Sequence, residues 1–443
     1  MLAKIAPARG LYYNPQQVAD ISLVATPPYD VIAPEEVQRY RDRHPYNIIR
    51  LILPVGEGAM DRYQDAARFV QTWEKEGILI RDENPSLYPY QQVFRSPTGE
   101  IKQRNGFISL MKLESWEQGS VIPHEGISPK PVEDRLRLME ACEANLSQVF
   151  ALYSDPAGAV EKQLAHVWNS SPRYEFRDDD GVVHRLWQVD DRTTIGAIAK
   201  EMRDKTTIIA DGHHRYKTAL MYRDKMRKRY PSYTERSLFE YTMLYLTPLE
   251  GEGLLILPTH RLVIPRKPFD LDGFYAALKK YFSFAIFTFD NPNRERQARE
   301  DFFKALDKRS SHRYAFGLYI GSEKRYIQLV LREGVNVKEL LVGYPEVLQE
   351  LDVALLDGFI LKDLLKVDQE EVRLSKGRDE ALAEVHQGRF KAAFFLNPPS
   401  IQQVKRVVDA GEVMPRKTTF FYPKVATGLV IYKIVPDEEV ALL

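Results

Sequence analysis

The stretch Thr206–Leu220, TTIIADGHHRYKTAL, has the pattern of a strand, a tight turn and a helix. It opens with β-branched residues, which favour a buried strand. Asp211-Gly212 then interrupts the apolar run, as a tight turn would. Apolar residues after the turn recur at helical spacing and continue into the basic segment MYRDKMRKR. The sequence therefore predicts a strand and a helix with Asp-Gly-His-His-Arg at their junction.

The junction residues Asp211, Gly212, His213, His214 and Arg215 suit the binding of an anion. The first backbone N–H groups of a helix lack partners within the helix and attract anions, phosphate above all. Two imidazoles and a guanidinium add side-chain donors at the same place. We predict a phosphate-binding corner here. The alternative is a helix start whose histidines only cap or pack.

Length, charge and cysteine content limit the class of protein. A chain of 443 residues exceeds one ordinary domain, and two or three are expected. Lys+Arg and Asp+Glu both number 62, which argues against a general binder of nucleic acid or of anionic membranes. The single cysteine, Cys142, excludes an intrachain disulfide and favours a reducing compartment. No apolar stretch is long enough to span a bilayer, so we expect a cytoplasmic protein. The sequence does not specify its oligomeric state.

Helical and strand-like segments alternate along the chain and predict a mixed α/β (α+β) fold. Ile48–Leu53 is a predicted strand, and Leu87–Arg95 and Ile101–Leu113, on either side of the turn Ser96–Gly99, are a predicted hairpin. We expect four regions. They are an N-terminal α/β region (1–165) with a His-Glu loop, a core (166–265) with the Asp-Gly-His-His-Arg motif, an α/β insertion or subdomain (266–350) and a C-terminal region (351–443) whose MPRKTTFFYPK loop completes the site.

Two further segments place carboxylates in loops. Asp30 follows the apolar segment Ile21–Ala25, which we predict to be a strand, and a strand-end carboxylate is a candidate for chemistry. It is equally a candidate turn residue or cap. His124 and Glu125 lie in a loop restrained by a glycine and several prolines, and such held polar loops favour function. The alternative there is a surface loop with incidental charges.

Basic residues supply further candidates. Lys130 and Arg135 follow the His-Glu loop, and Arg416 and Lys417 stand between a proline and two threonines, where they suit phosphates or an ordinary basic loop. His260 and Arg261 come at the predicted end of an apolar strand. That pair is a second candidate anion or metal position. A strand-end histidine bonded to a neighbouring carbonyl is the commoner outcome.

Several familiar motifs do not occur. The sequence has no zinc-ligand spacing, no Walker-type phosphate loop, no dinucleotide glycine fingerprint and no Gly-x-Ser-x-Gly. A helix-start anion site with carboxylates and basic residues in loops suits phosphoryl transfer, in which the protein mainly positions phosphates and supplies a base. It suits nucleotide binding without chemistry equally well.

Motifs along the whole chain resemble those of the bacterial and archaeal family called domain of unknown function 1015. The matching segments are PPYDVI (27–32), HE (124–125), DRL (134–136), ANL (144–146), ADGHHRYKTAL (210–220), LPTHR (257–261), LDVALL (351–356) and MPRKTTFFYPK (414–424). The family name itself assigns no activity.

A shorter resemblance covers residues of about 194–222, where helix, strand, Gly-x-x-Arg and helix are similar to the nucleotide-binding corner of the ParB and sulfiredoxin superfamily. That superfamily includes free-serine kinases with a similar Asp-Gly-His-His-Arg. The resemblance implies a ParB/sulfiredoxin-like core with nucleotide phosphates on His213, His214 and Arg215. Position 213 is histidine where sulfiredoxin has its cysteine, which argues against reductase chemistry.

The leading hypothesis is a nucleotide-dependent phosphotransferase acting on a small hydroxylated metabolite, with free serine as the candidate. ATP or ADP would supply the phosphoryl group and Mg²⁺ would bridge its phosphates. Glu125 or Asp30, with His124 beside them, would take the hydroxyl proton, and Lys417 would be a secondary phosphate contact. We expect the His-Glu loop and the C-terminal basic loop to complete one composite site with the Asp-Gly-His-His-Arg corner.

Two alternatives come from other classes. One is a ParB-like nucleotide-binding regulatory or adaptor protein without metabolite turnover. Zero net charge and the lack of a helix-turn-helix pattern count against its use on DNA. The other is a metal-dependent hydrolase built from His124, Glu125, His214 and His260.

Overall fold

The computed structural model describes residues 5–56, 61–265, 270–308 and 314–441. It confirms the predicted mixed α/β class. The chain forms two compact units, each built from separate stretches of sequence. The first unit comprises Met1–Pro123, Ile127–Leu255 and Pro423–Leu443, and the second comprises His124–Gly126 and Ile256–Tyr422. The four predicted regions stay a prediction.

The first unit contains a nine-stranded mixed sheet. The strands of this unit are β1 (Ile5–Ala6), β2 (Leu11–Tyr13), β3 (Leu79–Arg81), β4 (Tyr88–Arg95), β5 (Ile101–Lys112), β6 (Val121–Pro123), β7 (Ala144–Asn145), β8 (Val149–Tyr153), β9 (Tyr174–Arg177), β10 (Val183–Leu186), β11 (Thr207–Asp211), β12 (Tyr241–Pro248) and a last short strand, Tyr432–Lys433. The sheet order is β6-β11-β8-β12-β5-β4-β10-β9, and β1 pairs with β5. The long β4–β5 hairpin that the sequence predicted is therefore the middle of this sheet.

Helices and short turns complete the first unit. The α-helices are α1 (Val37–Arg43), α2 (Ile49–Ile52), α3 (Arg62–Lys75), α4 (Pro129–Cys142), α5 (Ala159–Leu164), α6 (Arg192–Met202) and α7 (His213–Arg229). The 3-10 helices are Ile21–Leu23, Tyr29–Val31, Pro34–Glu36, Trp116–Gln118 and Leu238–Glu240. In the part of the chain that the structure describes, no helix combines the length and apolar character needed to cross a membrane.

The second unit contains a six-stranded antiparallel sheet of order β15-β17-β16-β19-β14-β18. Its elements are β13 (Leu255–Leu257), β14 (His260–Val263), α8 (Leu271–Tyr281), β15 (Phe282–Thr288), α9 (Pro292–Asp307), β16 (Ala315–Ile320), β17 (Arg325–Leu331), α10 (Val337–Leu340), α11 (Glu346–Gln349), α12 (Asp352–Ala354), a π-helical segment (Leu355–Leu364), a 3-10 helix (Gln369–Glu371), β18 (Val372–Ser375), α13 (Arg378–His386), β19 (Ala392–Phe395), α14 (Ile401–Asp409) and β20 (Phe420–Tyr422). Aromatic and aliphatic side chains of the sheet, α9 and α13 form one buried cluster that includes Phe302, Tyr326 and Phe395.

The opening motif folds as its sequence predicted. The β-branched run is β11, which lies between β6 in parallel and β8 in antiparallel pairing. Gly212 has φ of +91°, a left-handed conformation that glycine adopts at little cost. Helix α7 begins directly after it at His213. The junction therefore lies at the carboxyl end of a buried strand.

Three local predictions were wrong. Ile21–Leu23 is a 3-10 helix, because the Asp20 side chain accepts from the Ser22 N–H and turns the chain. Ile49–Ile52 is a short helix rather than the predicted strand, since its apolar residues are buried on several sides and such a run does not distinguish helix from strand. His260 and Arg261 begin strand β14 instead of ending a strand.

Candidate functional site

A buried ion-pair cluster lies in the first unit, at the carboxyl end of β11. The Asp211 carboxylate accepts from Lys424 Nζ at 2.9 Å and from Arg215 Nη2 at 2.8 Å. Burial raises the pKa of Asp211, but Lys424 and Arg215 lower it more, and the net pKa lies well below its ordinary value. Asp211 is therefore ionised at neutral pH and shares one negative charge between two cations.

The Arg215 guanidinium has a hydrogen-bond donor without a partner among the described residues. Its side chain is only 10% exposed, and Nη1 donates to the Gln148 carbonyl. Nη2 lies 4.0 Å from Asp30 Oδ2, which is beyond hydrogen-bond length, and buried Nε has no hydrogen-bond partner within the described residues. Because Nε and Nη2 form the fork that binds carboxylate or phosphate oxygens, this group can take an anion.

The two histidines of the motif differ. His213 is buried in the first turn of α7 and helps to lower the pKa of Asp211. The Ser128 backbone N–H, immediately before α4, donates to His214 Nε2 at 3.1 Å. This contact ties the start of α7 to the start of α4. For this ring nitrogen the observed contact is of the capping and packing kind, which was the alternative to phosphate binding.

Asp30 lies in the 3-10 turn Tyr29–Val31, not at the end of a strand. Its side chain is 35% exposed. The neighbouring Tyr29 is half-buried, and this burial together with the Asp30 charge raises its pKa to about 12. Tyr29 therefore stays neutral and Asp30 is the accessible carboxylate beside Arg215.

A small cleft of about 60 Å³ adjoins these residues, and Tyr29, Arg135 and Arg215 contribute to its wall. The Arg135 guanidinium lies over the Tyr29 ring at 4.2 Å and pairs with Asp134. Arg215 therefore lies at an opening of the surface, beside Tyr29 and Arg135. Lys130 is exposed in the first turn of α4.

Sequence reasoning missed Lys424, although it ends the quoted MPRKTTFFYPK motif. Its position depends on a set of bonds to the backbone around it. Gln92 Nε2 donates to the Lys424 carbonyl at 2.8 Å, buried Arg104 donates to the Pro423 carbonyl at 2.5 Å, and Gln148 Nε2 donates to the Ala426 carbonyl at 2.9 Å. The only sequence signal was a lysine at the end of that motif.

A second polar cluster lies in the second unit around Glu125. Its carboxylate accepts from the Lys417 N–H at 3.1 Å and from the Thr419 N–H and hydroxyl at 3.2 and 3.0 Å. Since that hydroxyl donates its one proton to Glu125, His124 Nε2 is the donor in its 2.7 Å bond to Thr419 Oγ1. Arg416 is exposed on the same loop. The structure thus brings His124, Glu125 and Lys417 together.

His260 and Arg261 are core residues of the second unit. His260 is fully buried, its Nδ1 accepts from the Leu396 N–H at 3.3 Å, and burial with nearby arginines lowers its pKa to about 3. Arg261 pairs with Asp357 through Nε and Nη2 at 3.0 and 2.8 Å. Arg261 is thus held in a structural ion pair. His260 does not have the carbonyl partner that the alternative named, because Nδ1 accepts from an N–H and buried Nε2 has no hydrogen-bond partner within the described residues.

No group of three or more His, Cys, Asp or Glu side chains in the described ranges has an arrangement that could hold a metal ion. His214 belongs to the first unit, and His124, Glu125 and His260 belong to the second. The union of the Arg215 and Glu125 clusters in one composite site stays a prediction.

The fold and the two clusters define a two-unit α/β protein with an arginine–carboxylate corner at a helix start. The sequence profile of the family described as "Protein of unknown function (DUF1015)" matches residues 5–354. The chain belongs to this family, as its motifs indicated. None of the curated proteins matches the chain in sequence.

Solved structures give distant similarities. A conserved hypothetical protein from Pyrococcus furiosus is 14% identical, with 72% of this chain and 92% of that chain covered and a TM-score of 0.32. A free serine kinase in complex with AMP is 14% identical, with 71% and 86% covered and a TM-score of 0.31. C-terminally truncated SbnI from Staphylococcus aureus is 10% identical, with 75% and 90% covered and a TM-score of 0.35. Similarities at these scores carry no functional argument.

Proposed function

We propose that this protein is a nucleotide-dependent phosphotransferase that acts on the hydroxyl group of a small metabolite. The observation behind the proposal is the arrangement of Asp30, Arg215, Asp211 and Lys424 at the start of α7. Free serine is the first candidate substrate and ATP or ADP the donor, on the strength of the Asp-Gly-His-His-Arg resemblance. The charges and contacts of the corner support phosphate binding independently of that resemblance.

Two cations and two carboxylates meet at the corner, but only one of the carboxylates is hydrogen-bonded to Arg215. Arg215 and Lys424 share the single Asp211 carboxylate, and Asp30 is too far away to form a hydrogen bond with Arg215. The amino end of α7 adds the positive end of a helix dipole. Preorganised donors of this kind stabilise the charge that spreads over a transferring phosphoryl group. We assign Arg215, with His213 beside it, to the phosphates.

Asp30 is the first candidate for the base, because its carboxylate is partly exposed and lies next to Arg215. In the proposed step the acceptor hydroxyl gives its proton to this carboxylate and its oxygen attacks the terminal phosphorus. The bond from that phosphorus to the bridging oxygen of the nucleotide breaks, and the shortened nucleotide leaves. Glu125 is the second candidate, since three donors already hold its carboxylate.

Mg²⁺ commonly binds through one or two carboxylates together with phosphate oxygens, and it would neutralise phosphate charge in this reaction. Asp30 is accessible enough to be such a ligand, but only where Glu125 and not Asp30 takes the proton, because a carboxylate bound to the ion is not free to act as the base. Asp211 does not fit as well, since Lys424 and Arg215 already engage both of its oxygens.

The test is to incubate the full chain with a nucleotide panel and a pool of hydroxylated metabolites, and to follow phosphorus by NMR. We expect transfer to one metabolite, lost in Arg215→Ala. Arg229→Ala is the matched control, because Arg229 is an exposed arginine on the same helix and should leave transfer unchanged. Tight nucleotide binding without turnover across the pool would contradict the proposal and favour the adaptor alternative.

A further inference from the structure

The loop Pro415–Thr419 surrounds the Glu125 carboxylate in the way that anion-binding loops surround their ligands. Both oxygens of Glu125 accept from the loop, one from the Lys417 N–H and the other from the N–H and hydroxyl of Thr419. Two backbone N–H groups and a hydroxyl directed at one carboxylate form a concave set of donors. Such nests of backbone N–H groups bind phosphate in many proteins.

One residue of the loop has the left-handed conformation that occurs in such nests. Lys417 has φ of +55°, in the left-handed region that residues other than glycine seldom adopt. In a nest, a left-handed residue turns neighbouring N–H groups toward the same point. The unusual conformation of Lys417 therefore agrees with a loop shaped to bind an anion.

Contacts other than Glu125 also hold the loop. Thr259 Oγ1 donates to the Lys417 carbonyl at 2.7 Å, and Thr418 Oγ1 donates to the Pro415 carbonyl at 2.5 Å. The Met414 N–H donates to the His124 carbonyl at 2.8 Å. Because these bonds do not involve the Glu125 side chain, the donors should remain in place when that side chain leaves.

Charge around the loop favours a ligand with more than one negative charge. The side chains of Arg416 and Lys417 are both exposed on it. A phosphate group has three acceptor oxygens and close to two charges at neutral pH, whereas the Glu125 carboxylate has two oxygens and one charge. Phosphate can therefore use the same donors, and the two exposed cations add positive charge to the loop.

We infer that the Pro415–Thr419 loop is a phosphate-binding site and that the Glu125 side chain is its internal occupant. A phosphate group, free or on a nucleotide, displaces the carboxylate and takes the N–H groups of Lys417 and Thr419. The displaced Glu125 then becomes available as an acceptor elsewhere. This inference concerns anion binding by the loop and holds whether or not the protein transfers a phosphoryl group.

Removal of the internal occupant should strengthen phosphate binding. While Glu125 fills the nest, the apparent affinity for phosphate is reduced by the fraction of molecules with the nest open. If that fraction is one tenth or less, Glu125→Ala should bind inorganic phosphate at least about tenfold more tightly than the natural chain. Calorimetric titration of both full-length proteins with inorganic phosphate measures this change. Glu300→Ala, which removes an exposed glutamate from α9, is the control for net charge.

Thermal unfolding gives a second readout that does not assume an unchanged fold. Glu125→Ala should melt at a lower temperature than the natural chain in phosphate-free buffer, and phosphate should raise its melting temperature by more. Glu125→Gln keeps an acceptor oxygen without the charge, so its melting temperature and its stabilisation by phosphate should lie between those of Glu125→Ala and the natural chain. Equal phosphate affinity and equal phosphate-induced stabilisation in Glu125→Ala and the natural chain would overturn the inference.

A double variant locates the anion. Thr419→Val removes one donor of the nest, so Glu125→Ala/Thr419→Val should lose most of the gain in phosphate affinity. A gain that persists in full would place the phosphate elsewhere and contradict the proposal. Titration with ADP distinguishes the source of the phosphate: a matching gain indicates a nucleotide phosphate, and a gain with inorganic phosphate alone indicates a free phosphate or a small monoester.

Discussion

Gly212 and Arg215 pack so closely that a Cβ atom at position 212 would lie 2.9 Å from both Cζ and Nε of the guanidinium. The absence of a side chain at Gly212 therefore permits the position from which Arg215 reaches Asp211. Gly212 also has φ of +91°. The glycine is needed for its backbone conformation and for the space that it leaves.

We expect Gly212→Ala to displace the Arg215 guanidinium and to weaken nucleotide binding as well as stability. Gly99→Ala is the matched control, since Gly99 has φ of +90° and nothing within 4 Å of its Cβ position. The control should lose about 1–2 kcal/mol from backbone strain alone, and Gly212→Ala should lose more. Urea unfolding and nucleotide titration of both variants measure the difference. Equal losses of stability with nucleotide binding intact would contradict the assignment of Arg215 to the phosphates.

Asp30 and Glu125 are the two candidates for the base, and one variant of each distinguishes between them. If Asp30 takes the hydroxyl proton, Asp30→Asn should reduce the rate of phosphoryl transfer by roughly 10²–10⁴-fold while nucleotide binding is retained. Glu125→Gln should then keep most of the rate. Single-turnover transfer with each variant measures both effects. The reverse pattern would assign the base to Glu125, and full activity in both variants would remove the two carboxylates from that role.

Lys424→Met should destabilise the first unit because Asp211 would lose one of its two cations. A hydrogen bond to a charged group contributes about 1.5–3 kcal/mol, and we expect a loss in that range at pH 7. The pKa of Asp211 is lowered in the folded protein, so its contribution is present above the unfolded pKa of about 3.9 and is lost as the pH falls further.

The difference in unfolding free energy between the natural chain and Lys424→Met should therefore shrink below about pH 4. Urea unfolding at several pH values tests this. Lys405→Met removes an exposed i,i+4 pair with Asp409 and should cost less than about 1 kcal/mol. A constant difference down to the lowest pH would show that the lysine acts through packing rather than through its charge.

Buried His260 should make the stability of the second unit depend on pH, separately from Asp211. Burial and the charges of Arg378 and Arg261 lower its pKa from 6.5 to about 3. Because the unfolded chain takes up this proton first, the stability that His260 contributes is complete above pH 6.5 and decreases between 6.5 and about 3. The slope is at most about 1.4 kcal/mol per pH unit.

We expect His260→Asn, which keeps an acceptor in place of Nδ1, to have a flatter stability profile across that pH range. His166→Asn changes an exposed histidine and should leave the profile unchanged. Urea unfolding between pH 4 and pH 8 compares the variants. A profile as steep in His260→Asn as in the natural chain would show that other groups cause the acid sensitivity.

The local sequence pattern predicted the secondary structure correctly where one side of an element is apolar or where a turn requires a particular residue. The β4–β5 hairpin and the β11–Gly212–α7 junction were predicted because alternation, turn residues and glycine act over a few residues. The segments Ile21–Ala25 and Ile48–Leu53 were predicted as strands and fold as short helices. Each is a brief apolar run buried by distant parts of the chain, and such runs suit either conformation.

The sequence by itself determined the order of strand, turn and helix at Thr206–Leu220, the need for glycine at 212 and the candidate ligands Asp211 and Arg215. Only the tertiary structure decided that Lys424, 213 residues further along, would share Asp211 with Arg215. It also decided that Glu125 would meet the N–H groups of Lys417 and Thr419, 292 and 294 residues away. Backbone conformation at a turn follows from steric limits within a few residues. The partner of a charged side chain depends on which distant segments the folded core brings beside it, and no local pattern specifies that.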